Sequence, residues 1–288
     1  MYKNVLVVGG KGYIGRHLQK AFPTFIYTNS HDFNLNHPKE IERFCHTLDP
    51  IDLCIILSAN ISYHPNLTIE NEPFKTNVSG LNHLLKVLQT SHPNTKIIYF
   101  SSMTVYDSSN PSPVDENANR RPLHPYGLSK VFAEELIKFY RLESIIIRIP
   151  GVYGGDRESG FIYNTIQKLK DNQEIIFDTT DLGYWEGIYI DDLIAIFGKF
   201  LRKYTFNTRC DVFNLSYGEK TDFIDTIHFL KSQLHSTSQI HVEKHYNDLF
   251  LSNQKLVSYV DDTYNYFNSL IKYLTYLNQK EASCSKSL

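Results

Sequence analysis

Tyr126 and Lys130 stand four residues apart in Pro125-Tyr126-Gly127-Leu128-Ser129-Lys130. On a helix that spacing puts phenol and ammonium on one face, one turn from each other. A lysine cation beside a phenol favours the phenolate and draws a tyrosine pKa of about 10 towards neutrality. Such a group can take or give a proton at working pH. Ser102, at the end of the apolar run Ile97-Ile98-Tyr99-Phe100, offers a hydroxyl to steady an alcohol or carbonyl oxygen facing the tyrosine. With 20 tyrosines in the chain, a Tyr-x-x-x-Lys match has weight only if the surrounding elements support it.

Those elements begin at the N-terminus. Lys3 to Val8 is a β-branched run ending in Gly9-Gly10-Lys11-Gly12-Tyr13-Ile14-Gly15, and an amphipathic segment from Arg16 to Phe22 follows. Strand, glycine turn and helix form the context of a dinucleotide-binding fingerprint. Gly9 permits the tight turn, Gly12 a close approach of backbone to pyrophosphate, and Gly15 close packing of helix on sheet. The helix N-terminus presents free N–H groups to phosphate. The second strand (24–28) ends in Thr28, Asn29 and Ser30, without the acid that takes the ribose hydroxyls of NAD. Lys11 either faces a 2′-phosphate or is simply solvated, so the cofactor reads as NAD or NADP, with a slight lean to NADP.

Strands at 52–57, 96–100 and 144–148 alternate with helices at 38–48, 74–89 and 126–140, the pattern of βαβ units and a parallel sheet. The third strand closes on Ser58-Ala59-Asn60, the fourth delivers Ser101 and Ser102, and the fifth ends in Pro150-Gly151-Val152. Ligand sites in such sheets lie outside the carboxyl ends of the strands. Gly9, Ser58, Ser102 and Pro150 therefore converge on one edge. Leu81, Leu84, Leu85 and Leu88 recur at helical spacing and read as core. Asn77 either bridges backbone to the active site or lies on the helix surface. Four prolines (Pro111, Pro113, Pro122, Pro125) stiffen the approach to Tyr126.

Beyond Gly154 the pattern loosens. Helices are expected at 162–169, 193–201, 222–234 and 263–277, and strands at 174–177, 211–215, 239–243 and 256–260. Asp191 or Asp192 reads as an N-cap. The expected organisation is a dinucleotide domain over 1–154, with its core extended by segments near 188–215. A substrate lobe follows over 155–277, and a disordered tail over 278–288.

The chain has 288 residues and a formal net charge of −2, which gives no electrostatic case for nucleic acid or an anionic membrane. Its four cysteines are scattered, and none of its 12 histidines forms a metal-binding motif. No apolar run approaches the roughly 20 residues a membrane helix needs. The first strand starts too early for a signal peptide. The expectation is a cytoplasmic protein with no metal, membrane or nucleic-acid partner.

Taken together, the glycine loop, Ser101 to Tyr106, Tyr126-x-x-x-Lys130, Arg148 to Gly154 and Ile188-Tyr189-Ile190-Asp191-Asp192 resemble the extended short-chain dehydrogenase/reductase family. These are the nucleotide-sugar epimerases, dehydratases and reductases. The resemblance implies an α/β fold: a Rossmann-type doubly wound parallel sheet with a smaller C-terminal α/β substrate lobe. It implies Tyr126 as acid/base, Lys130 as the group that lowers its pKa and binds the nicotinamide ribose, and Ser102 as hydrogen-bond partner of the reacting oxygen. Gly9, Gly12 and Gly15 would hold the pyrophosphate, and the nicotinamide would sit between Tyr126 and Pro150. The cofactor set then extends to Lys11, Tyr13, Ile14, Asn29, Asn34 and Leu35 from the first two turns. Leu57, Ser58, Ala59, Asn77, Ser101 and Val152 complete it. Ser102, Met103, Thr104, Gly151 and Trp185 fall towards the substrate. The family commonly dimerises through the Tyr-Lys helix and the helix before it, where Phe132, Leu136 and Phe139 supply such a face or belong to the core.

Departures from the family pattern narrow the member. Dehydratases carry Asp-Glu where Met103 and Thr104 stand, which argues against 4,6-dehydration. Gly151 replaces an asparagine, and Trp185 an arginine that grips the nucleotide diphosphate. The short second strand and Asp32-Phe33-Asn34-Leu35 are closer to the deoxysugar reductases, but Thr104 replaces the cysteine of a two-base epimerisation. The expected activity is 4-keto reduction or 4-epimerisation of a nucleotide sugar. The alternatives are reduction of a non-sugar carbonyl and a non-catalytic NAD(P)-binding sensor.

Overall fold

In the computed structural model, residues 2–61, 72–177, 186–242, 249–260 and 264–284 are described. Every side chain of strands β1 (Val5–Val8), β3 (Leu53–Ile56) and β5 (Ser144–Ile149) is buried, as strands covered on both faces require. With β2 (Ile26–Thr28), β4 (Lys96–Ser102) and β9 (Cys210–Asn214) they form a six-stranded sheet in the order β2-β1-β3-β4-β5-β9, parallel throughout. Successive side chains point to opposite faces. Val5, Val7, Ile55, Ile98 and Ile147 therefore join one core, and Leu6, Val8, Ile56, Ile97 and Ile146 the other.

Helices α1 (Tyr13–Ala21) and α7 (Ile190–Lys203) contribute Leu18, Leu193 and Phe197 to the first core. Helices α2 (Pro38–Cys45), α4 (Leu81–Ser91) and α5 (Pro125–Tyr140) contribute Ile41, Leu84, Leu85, Leu88 and Ile137 to the second. The sheet is thus the doubly wound α/β arrangement expected. The chain runs outward from β1 to β2, then crosses back to β3, so the topological switch point lies between the ends of β1 and β3.

Ahead of α4, the short helix α3 (Glu72–Phe74) passes into a π-helical stretch, Lys75–Gly80, that holds Asn77. The later chain adds two small parallel pairs. β6 (Gly151–Tyr153) pairs with β8 (Gly187–Tyr189), and β7 (Ile175–Phe177) with β10 (Ile240–Val242). Helix α6 (Phe161–Lys170) packs against β7 and α10 (Tyr266–Cys284) against β8, and α8 (Phe223–Gln233) packs on both helices.

Three expectations are corrected here. The apolar run at 256–260 is not a strand: α9 (Gln254–Val257) and the turn after it bury Leu256 and Val260, four apart as on one helical face, and leave Val257 exposed. The predicted fray from Asn278 is helical through Cys284, its end held by Lys170–Glu281 (2.6 Å) and Lys280–Glu158 ion pairs. Asp191 and Asp192 lie inside the first turn of α7, whose N-cap is Tyr189. Buried Asp192 accepts hydrogen bonds from the Tyr217 hydroxyl (2.9 Å) and Lys272 Nζ (3.0 Å). Among the described residues no helix is long and apolar enough to cross a membrane.

Candidate active site

The carboxyl ends of β1, β3, β4 and β5 open into a cleft of 1090 Å³. At its floor Gly9 has φ +94°, and a Cβ there would stand 2.7 Å from the Ser58 backbone nitrogen. Glycine is therefore required for the loop to pass so close to the end of β3. Gly12 is the N-cap of helix α1 and offers no side-chain cap. Its first-turn N–H groups have no intrahelical acceptor and carry the positive end of the helix dipole. The Tyr13 hydroxyl donates to the Gly154 carbonyl (2.8 Å), and the Arg157 guanidinium lies 5.7 Å from the Tyr13 ring centre. A cation thus stands beside an anion-ready helix end.

Pro125 opens α5, its fixed φ suited to a first helical turn, and Tyr126 and Lys130 both line the cleft. A Cβ on Gly127 would meet the Thr104 carbonyl at 2.4 Å. That close approach seats α5 on the turn Met103–Val105 and brings Tyr126 to the same wall as Ser102. Ser102 Oγ accepts from Thr104 N (3.2 Å) and Thr104 Oγ1 (3.0 Å). A hydroxyl that accepts twice has its own proton left to donate.

Lys130 is buried; its Nζ donates to the Phe100 carbonyl (2.8 Å) and lies 4.6 Å from the Tyr99 ring centre and 5.9 Å from that of Tyr126. Burial pulls its pKa down to about 7, against the opposing pull of the Glu134 carboxylate. Glu134 is itself fully buried and bidentate to Arg148 (2.9 and 2.7 Å), with Ser101 Oγ (2.7 Å) and Arg120 (3.1 Å) as further donors. Burial raises its pKa, but the Arg148 and Ser101 hydrogen bonds and the arginine charge outweigh that and hold it below the usual carboxylate range.

Most of the residues singled out in the sequence line this one cleft. Gly9, Gly12, Tyr13, Ile14, Gly15, Asn29, Asn34, Leu35, Leu57, Ser58, Ala59, Ser101, Pro150 and Val152 do so, as do Ser102, Met103, Thr104 and Gly151. Two do not. Lys11 is solvent-exposed and lies off the cleft wall, so it gives no support to a lean towards NADP. Asn77 is buried behind the wall as a strut. It accepts from Asn60 N (2.7 Å) and donates to Asn60 O (3.0 Å) and Ser129 Oγ (3.0 Å). Ser129 in turn donates to the Tyr126 carbonyl (2.7 Å). Trp185 lies outside the described residues.

The sequence reading missed Asn36, His124, Arg157 and Glu186, which also line the cleft. None sits in a periodic pattern or recognised spacing that would have marked it. Asn36 Oδ1, Ser58 Oγ and Glu186 Oε1 are buried without a hydrogen-bond partner. Orphaned polar atoms at three points along one cleft fit an extended, polar ligand such as a dinucleotide with a substrate beyond it.

Known proteins resemble this chain in sequence and in fold. A family model described as "NAD dependent epimerase/dehydratase family" matches residues 5–216. A putative UDP-glucose 4-epimerase of Methanocaldococcus jannaschii is 27% identical over 80% of this chain and 82% of its own length. The enzyme WbmG of Bordetella bronchiseptica, solved with NAD and UDP, superposes with a TM-score of 0.81 at 15% identity, covering 97% of this chain and 96% of that one. RMD of Pseudomonas aeruginosa, solved with NADPH, gives a TM-score of 0.78 at 18% identity over 94% and 97% of the two chains.

Proposed function

Because the chain belongs to the NAD dependent epimerase/dehydratase family, we propose that it reduces a 4-keto group, or epimerises C4, on a nucleotide-activated sugar, with Tyr126 as acid/base. The observation that carries the reading is the meeting of Tyr126, Lys130 and Ser102 with the glycine loop in one cleft. Bound NAD or NADP would accept or supply the hydride, its pyrophosphate held by the α1 N-terminus and its outer parts by Ser58 and Asn36.

Ser102, its oxygen engaged by Thr104, donates its proton to the reacting oxygen of the substrate. Tyr126 exchanges a proton with that same oxygen as it changes between alcohol and carbonyl. In its protonated form Lys130 spends one of three N–H groups on Phe100, leaving two for ribose hydroxyls beside the phenol. Met103 and Thr104 bring no carboxylate to the wall, which weighs against loss of water. The M. jannaschii relative and the UDP-bound neighbour support a nucleoside-diphosphate sugar as substrate. Gly151 in the cleft wall favours, as a second reading, a carbonyl substrate that needs no asparagine grip.

Two incubations of purified protein test the reading: NADH or NADPH with the 4-keto forms of UDP-, GDP-, dTDP- or CDP-sugars, and NAD or NADP with the parent sugars. A reductase oxidises one NADH or NADPH per sugar reduced, whereas an epimerase interconverts sugars with no net absorbance change. Tyr126→Phe is expected to lower turnover by about 10²–10⁴-fold with NADH affinity unchanged. Undiminished turnover in that variant would end the proposal. A homodimer built on the outer face of α5 belongs to the same proposal.

A further inference from the structure

Glu186 stands immediately before β8, fully buried, in the wall of the cleft. Its backbone carbonyl accepts from Gly151 N (2.9 Å), which fixes it beside the Pro150-Gly151 turn at the end of β5. Its Oε2 accepts from Leu251 N (2.9 Å), while its Oε1 has no partner. A buried carboxyl with one oxygen unsatisfied is costly unless something else completes it. Nothing in the expected proton chemistry uses this group: Tyr126 and Ser102 come from α5 and β4, and Glu186 enters from the later half of the chain.

We propose that Glu186 is a specificity-determining residue, its unpaired Oε1 exchanging a hydrogen bond with a hydroxyl or carbonyl of the sugar carried in the cleft. The inference rests on the nucleotide-sugar reading above and deepens it. Burial, with the charge of Glu219 added, pushes the carboxyl up to about 8, against the lowering effect of the Leu251 N–H. At neutral pH the group therefore carries its proton and can act as donor as well as acceptor. A site built to bond a hydroxyl rejects an analogue that lacks it, because its own polar group is then left unpaired.

The test separates the sugar from the nucleotide. Titration calorimetry on NAD-loaded protein compares UDP-glucose with UDP, GDP-mannose with GDP, dTDP-glucose with dTDP, and CDP-glucose with CDP. The ratio of diphosphate to nucleotide-sugar Kd is the sugar-dependent part of binding. Glu186→Leu is expected to collapse that ratio about tenfold for the best-bound sugar, the worth of one buried hydrogen bond, while diphosphate and NADH affinities hold. Glu186→Gln keeps an acceptor for Leu251 N and a donor for the ligand, and is expected to preserve the ratio. An unchanged ratio in Glu186→Leu, an equal loss of all ligands, or a wild type that binds no sugar more tightly than its diphosphate would overturn the proposal. Failure of the broader enzymatic reading is a different result, a wild type that binds neither NADH nor NADPH.

Discussion

At the scale of single residues the proposed reaction depends on where a few protons are held. Thr104 spends both a backbone N–H and a hydroxyl on Ser102 Oγ, so Thr104→Val removes one of two bonds orienting the reactive proton. Turnover is expected to fall by up to about tenfold, the scale of one hydrogen bond near 1 kcal/mol, with NADH affinity unchanged. Ser102→Ala, which removes the donor itself, is expected to cost about a hundredfold or more. Steady-state kinetics on both variants decide the matter: equal losses would make Thr104 a direct substrate contact.

Two buried ionisable groups give opposite pH signatures in the ligand-free protein. The folded Glu186 carboxyl sits at about 8 against an ordinary 4.5. Between those values the folded state keeps a proton the unfolded chain has released, so stability falls as pH rises through the window. The folded Lys130 sits at about 7 against 10.5; there the unfolded chain holds the extra proton, and stability climbs as pH rises. The melting-temperature difference, Glu186→Gln minus wild type, should therefore increase from pH 5 to pH 8 and then flatten. For Lys130→Met minus wild type it should decrease from pH 7 towards pH 10. Melting curves across that range check both slopes, and a flat Glu186→Gln difference would mean that Glu186 is ionised in the folded protein.

At the scale of elements, one buried carboxylate ties four segments together. Glu134 of α5 joins Ser101 of β4, Arg148 of β5 and the loop arginine Arg120. Glu134→Ala would leave the buried Arg148 cation without its counter-charge, at a cost of about 3–5 kcal/mol. The double variant Glu134→Leu/Arg148→Met is expected to recover most of it. Urea denaturation of the three proteins measures this, and an additive double variant would show that the pair is not coupled. The wild-type network holds the helix of Tyr126 against the strand of Ser102, so the single variant should lose activity before it loses fold.

The same scale explains what the sequence could and could not reveal. The strands of the parallel sheet were legible because burial on both faces leaves unbroken apolar runs such as Val5-Leu6-Val7-Val8, and the glycine loop because Gly9 must adopt a positive φ. Tyr126 and Lys130 were legible because helical spacing alone places them together. Glu186 was not, since its neighbour in space, Gly151, lies in another segment and is joined to it only by a backbone bond. Asn77 shows the converse: its polarity marked it, but only the π-helical stretch and the Asn60 and Ser129 contacts reveal that it braces the wall from behind. The run at 256–260 misled because apolar content resembles a strand whether its burial repeats every two residues or every four.

For the whole molecule the proposed dimer would form on the outside of α5. With 3.6 residues per turn, Tyr126 and Lys130 share one side of the helix, while Leu128, Phe132 and Phe139 fall together roughly opposite. These three are 39%, 43% and 74% exposed, and Phe132 packs edge-on against Phe74 of α3, 6.3 Å between ring centres. Exposed apolar side chains on the side of α5 opposite the candidate active site suit pairing with a second copy, since an isologous contact apposes the same patch on both subunits. Light scattering is expected to give the mass of a dimer, and Phe139→Glu that of a monomer, because burying an unpaired charge costs several kcal/mol. The melting temperature of the wild type should rise with protein concentration, as binding linkage requires, and that of the variant should not. NADH affinity should survive in the variant, the cleft lying on the far side of α5. A wild type that is monomeric at micromolar concentration would sink the dimer while leaving the active site intact.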